Sequence, residues 1–156
     1  MLGSRSNYFY QSKDVLNHNQ KVMVRYLVDM NYTMMQVGIY EKAFEYFCEN
    51  PNKFDGATIV KDLCHIPGLD LNAMLHDYHY IVYKCGCDLY MKRKADWLYA
   101  KEMERTGKGQ LAWVNWSLLK LSGFFFYCYS FWRKGSPTEE MQRKFLSEYQ
   151  CLINNS

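Results

Sequence analysis

Hydrophobic and polar positions change period several times along the chain, and each change predicts an element. From Val22 to Met34 the apolar residues Val22, Val24, Tyr26, Val28, Met30, Tyr32 and Met34 fall on even numbers, and Lys21, Arg25, Asp29, Asn31 and Thr33 on odd ones. Period-2 alternation predicts a half-buried strand, folded into a hairpin near 29–31. The rival is a continuous helix running on into IYEKAFEYFCEN, because Met and Leu at odd positions blur the alternation; the strand leads. Ile39 to Glu49 reads as a short helix stopped by Asn50 and Pro51. Pro51 to Asp70 is then a loop-rich approach, punctuated by Gly56, Pro67 and Gly68.

The period becomes helical in LNAMLHDYHYIVYKCGCDLYMKRKADWLYAKEM, Leu71 to Met103, the stretch around which the chain is organised. It predicts helices over Asn72 to Lys84 and Lys92 to Thr106, joined by the short break CGCDLYM, hence antiparallel neighbours. On the first, His76, Tyr80 and Tyr83 share one stripe; on the second, Asp96, Tyr99, Ala100 and Met103 do. Stacking the two faces brings Asp96 toward His76 and leaves a buried imidazole with two carboxylates, Asp77 and Asp96, nearby. An imidazole held by one carboxylate can take a proton from water while another carboxylate holds a cation. The same residues also read as a satisfied core histidine with helix-surface acids. The KRK cluster at Lys92 to Lys94 reads as a solvated helix start.

Leu111 to Trp132, LAWVNWSLLKLSGFFFYCYSFW, is the most hydrophobic stretch and about long enough for a bilayer, roughly twenty residues. Lys120 at its centre costs on the order of 3 kcal/mol in a membrane, so a buried or interface-facing helix is expected rather than a span. Its aromatic run, with Phe124, Phe125, Phe126 and Trp132 as interface candidates, exceeds what one core face needs. A last helix is announced by Ser136 as N-cap, Pro137 at its first position and Glu139 as the capping-box acid, with Met141, Phe145, Leu146, Tyr149 and Leu152 on its apolar face. Met1 to Gln20 reads as a polar, extended arm, with residues 21–156 forming one mainly helical domain.

Composition narrows the class. With 156 residues, 49% hydrophobic and 17% aromatic, the chain can bury one real core and is not disordered. A net charge of +3 without a Lys/Arg block predicts no specific nucleic-acid binding. The six cysteines, at 48, 64, 85, 87, 128 and 151, have no framework spacing and are expected as reduced thiols. No apolar signal core opens the sequence. Cys85, Cys87 and Asp88 with Cys64 and His65 offer zinc donor types but no C-x-x-C pair or second His at ligand spacing, and read as core thiols.

HDYHY followed by KADWLY resembles the H-D-x-x-Y and later A-D-x-x-[FL] pattern of the secreted phospholipase A2 superfamily, in the compact disulfide-free form found in parvovirus minor capsid proteins. It is also similar to a small domain of unknown function encoded by tailed phages and prophages, in which a D-G-A-S-like stretch and a proline precede the His-Asp helix; FDGATIVKDLCHIPGLD, with Asp55 and Thr58, stands there in this chain. The resemblance covers about Lys53 to Arg133. It implies His76 as general base, Asp96 as its acidic partner, Asp77 with the carbonyl of Gly68 as calcium ligands, and Tyr80 and Tyr99 as structural support. The preceding loop, HIPGLDLNA, departs from the family's glycine-rich loop, offering only Gly68. The resulting expectation is a mainly α domain with an antiparallel helix pair and a minor N-terminal β element. Two functions follow: a calcium-assisted phospholipid esterase of a phage or virus, or a virion structural protein such as a head-tail connector using an inactive scaffold. Its expected place is a virion or the cytoplasm of an infected bacterium, and its expected partners are other virion subunits, further copies of itself, or a lipid surface.

Overall fold

A computed structural model describes residues 8–54, 69–106, 114, 116–117, 132 and 135–154. Those residues form a mainly helical fold with no strand among them: α1 (Lys13–Asp29), α2 (Met34–Glu49), α3 (Leu71–Val82), α4 (Leu89–Arg105) and α5 (Glu139–Ile153), with 3-10 turns at Tyr8–Tyr10, Pro51–Lys53 and Cys85–Cys87. The chain divides into two compact units, residues 1–77 and 78–156, and the boundary falls within α3. Among the described residues no helix is long and apolar enough to cross a membrane. Most of the hydrophobic stretch 111–132 lies outside them, including Phe124, Phe125 and Phe126.

In the first unit the predicted strand over 22–34 is instead most of α1 and the start of α2. The buried positions of α1 are Leu16, Met23 and Leu27, spaced seven and four apart, so a helical stripe carries the core. The even-numbered valines that suggested alternation stay partly or fully in solvent, Val28 among them. Residues 8–20 likewise form no extended arm: Tyr8 and Phe9 are buried in a 3-10 turn, and the Ser12 side chain caps α1 by accepting from Val15 N–H.

The turn between α1 and α2 explains why the helix does not run on. Asn31 takes a left-handed φ of 60°, Asn31 N–H donates to the Val28 carbonyl, and Tyr32 N–H reaches back to the Leu27 carbonyl. This is a Schellman closure, with asparagine in the position glycine usually fills. Thr33 and Gln36 then open α2 with a reciprocal capping box, at 3.3 Å and 3.0 Å. Against α2 the rings of Phe9, Phe44, Phe47 and Phe54 pack with centroids 5.0–5.6 Å apart. Such aromatic pairs add about 0.5–1.5 kcal/mol each beyond area burial.

α3 opens where Asp70 Oδ1 accepts from the backbone N–H groups of Asn72 and Ala73, at 2.9 Å and 3.2 Å. In the second unit it ends before Lys84, which is left-handed with φ 53°; the Cys85–Cys87 turn follows, and Asp88 caps α4 through Met91 N–H at 2.9 Å. α5 is capped by Thr138, two residues later than Ser136, because the Thr138 hydroxyl meets Met141 N–H at 3.2 Å. Pro137 therefore precedes the cap instead of opening the first turn.

Gly38 sits inside α2 with nothing within 4 Å of where a Cβ would stand. Gly38→Ala is expected to stabilise the protein by about 0.5–1 kcal/mol, through the entropy glycine loses in a helix. Urea unfolding checks this, and a lower midpoint at unchanged slope would contradict it.

Candidate functional site

Among the described residues of the second unit Asp96, Glu102 and Glu148 are buried carboxylates; the side-chain contacts described below centre on two of them, and α4 carries the first. Its inward stripe runs through Met91, Lys92, Ala95, Asp96, Leu98, Tyr99, Glu102 and Met103, so Asp96 is 3% exposed. An unpaired carboxylate at that depth would be strongly destabilising. Tyr80, near the end of α3, donates its hydroxyl to Asp96 Oδ1 at 2.5 Å, and the Lys92 ammonium, one helical turn back on α4, pairs with Oδ2. A carboxylate offers about four acceptor positions, so two donors do not exhaust it. Tyr99, the other expected support, is also buried.

Lys92 was expected at a solvated helix start, and the structure corrects that. Because Asp88 caps the helix and α4 begins at Leu89, Lys92 falls on the inward side of the first turns and is 5% exposed. Of the three basic residues only Arg93 is exposed, and Lys94 is half-buried.

The second carboxylate is Glu148 of α5. Tyr83 donates its hydroxyl to Glu148 Oε1 at 2.9 Å, and His79 Nε2 lies 3.3 Å from Oε2. His79 is 1% exposed, with its ring edge-on to Phe145 at 5.3 Å. Burial foremost, then the hydrogen bond shared with Tyr78 and the negative charge of Glu148, push the Tyr83 hydroxyl far above the usual tyrosine range. Tyr83 thus remains a neutral hydrogen-bond donor. Sequence spacing had placed Tyr83 on the stripe of His76 and Tyr80; α3 ends at Val82, so Tyr83 leaves that stripe and turns to α5. Reading by motif missed His79 and Glu148. The available signal was the acid inside α5's apolar stripe of Phe145, Glu148, Tyr149 and Leu152.

In the first unit, the His-Asp pair occupies the middle of α3. His76 Nδ1 is 3.8 Å from Asp77 Oδ1, an electrostatic pair too long for a hydrogen bond. His76 is mostly buried, and Asp77 keeps about a quarter of its side chain in solvent, at 23%. Gly68, Asp55, Thr58, Cys64, His65 and Cys128 lie outside the described residues. Trp132 is described and stands 93% exposed.

Cys48, Cys85, Cys87 and Cys151 are free thiols. Burial first, then the negative charges of Asp96 and Asp88, push the Cys85 thiol well up, so it persists as a thiol and not as the thiolate a zinc ion would take. Among the described residues no three His, Cys, Asp or Glu side chains come together as a metal-binding group. Comparisons with protein-family models, with curated proteins and with solved structures find no match to this chain.

Two outcomes are expected from this geometry. Lys92→Met strands a buried carboxylate and costs about 3–5 kcal/mol in urea unfolding, and adding Asp96→Leu recovers much of that loss; a neutral Lys92→Met would contradict the pairing. Burial, then Glu45 and Glu49, push the Cys48 thiol from 9.0 up to about 11. Its thiolate fraction at pH 8 is therefore about a hundredfold below that of an unshifted thiol, and its native-state alkylation, followed by peptide mass mapping, rises about tenfold per pH unit toward that value. A plateau near pH 9 would contradict this.

Proposed function

We propose that this chain is a phospholipase A2-like lipid ester hydrolase domain of a phage or virus. The observation that carries the reading is the 2.5 Å bond between Tyr80 and Asp96. The resemblance assigns those two residues to one site, and they meet across sixteen positions of sequence. A carboxylate fixed by a hydroxyl and an ammonium keeps one orientation, which a positioning acid requires. By the resemblance alone, His76 would remove a proton from water and Asp96 would be its acidic partner; the water would attack the ester carbonyl, and the alcohol would leave with the proton that His76 took. Asp77, a carboxylate still in reach of solvent, offers the oxygen donor that a hard cation takes; the resemblance alone would add the carbonyl of Gly68, which lies outside the described residues. A calcium ion held there would polarise the ester carbonyl.

One observation favours a second reading, in which the chain is a virion structural protein on an inactive scaffold. Lys92 neutralises Asp96 within its own helix, and that pairing needs no catalytic role. Partners would then be virion subunits or further copies of the chain.

Fatty-acid release from mixed phospholipid vesicles, with calcium or with chelator, separates the two. The enzymatic reading expects calcium-dependent release that His76→Gln lowers at least a hundredfold, the range general-base loss covers. No release by the unmodified chain, together with assembly into oligomers in light scattering, would favour the scaffold.

A further inference from the structure

Turned away from its buried carboxylate, α4 carries a second stripe. At 100° per residue, Tyr90, Arg93, Lys94, Trp97 and Lys101 fall within an arc of about 100°. Tyr90 is 60% exposed and Trp97 36%. Lys94 lies between two rings, 4.9 Å from the centre of Tyr90 and 4.4 Å from that of Tyr149 on α5; Lys101 lies 5.5 Å from that of Trp97. One carboxylate, Glu104, shares the arc, and Lys101 holds it at 2.9 Å.

We propose that this face of α4 docks on an anionic lipid surface. Charge complementarity argues for that occupant: Arg93 is exposed and Lys94 and Lys101 are half-buried on this face, and since its one carboxylate, Glu104, pairs with Lys101, two of the three positive charges are unmatched. The ring chemistry agrees, because exposed tyrosine and tryptophan have an apolar body and a polar tip and settle at the depth of lipid headgroups. Nucleic acid fits less well, since bases need open ring faces for stacking and here lysines cover them. Lysines laid on aromatic rings are also held along the surface with their stems spread, which places their charge at headgroup level. This surface chemistry stands apart from the ester hydrolysis proposed above.

The test is co-sedimentation of the full chain with vesicles of ether-linked phosphatidylcholine and phosphatidylglycerol, which no esterase cleaves. Binding is expected to the mixed vesicles, to fall at high salt as charge attraction is screened, and to be weak on phosphatidylcholine alone. Tyr90→Ser with Arg93→Glu alters only exposed positions and is expected to lower binding about tenfold, with helical content unchanged by circular dichroism. Lys21→Glu, an equal charge change on α1, should leave binding within about twofold, and His76→Gln should leave it intact. The proposal is overturned by absent binding, by equal binding to neutral vesicles, or by equal loss with Lys21→Glu. Duplex DNA that binds through Tyr90 and Arg93 when vesicles do not would overturn it as well.

Discussion

A carboxylate that leaves water must bring its neutralising partners with it, and Asp96 imposes that requirement on the second unit. Its partners come from two elements, Tyr80 from the end of α3 and Lys92 from the preceding turn of α4. Both depend on the connection between the helices. The left-handed Lys84 ends α3, and the Asp88 cap sets where α4 begins. A shift of one residue in that start would rotate Lys92 and Asp96 by about 100° and turn Asp96 from the angle at which it meets Tyr80.

Glu148 meets the same constraint differently. Its charge faces a phenol and an imidazole, packed among the rings of Tyr83, His79 and Phe145. The first unit has its own solution, a cluster of four phenylalanines around α2. Apolar rings need area and shape, whereas the polar clusters of the second unit also need each donor aimed at its acceptor. The polar contacts are therefore the ones that fix rotamers around Asp96 and Glu148.

Helical periodicity made α3 and α4 legible within a few residues; it turned Asp96 toward His76, and the bond between Asp96 and Tyr80 was not foreseen. The N-terminal elements misled for a physical reason: in VMVRYLVDM apolar residues occupy both parities, and tertiary burial selected Met23 and Leu27 over the valines. The box formed by Thr33 and Gln36 was visible as a T-x-x-Q spacing and would have marked the true start of α2. Lys92 was illegible as a buried residue until the position of Asp88 fixed the helix phase. Glu148 was hidden because an acid on an amphipathic helix usually faces water, and its partner His79 lies 69 positions away.

Tyr80 and Asp96 form one hydrogen-bonded unit, and a double-mutant cycle measures its coupling directly. Tyr80→Phe, Asp96→Asn and the double variant would be unfolded in urea under identical conditions. A hydrogen bond to a buried charge contributes about 1.5–3 kcal/mol, so a coupling energy of at least about 1 kcal/mol is predicted. Additive losses, with coupling near zero, would contradict the claim that this pair organises the site.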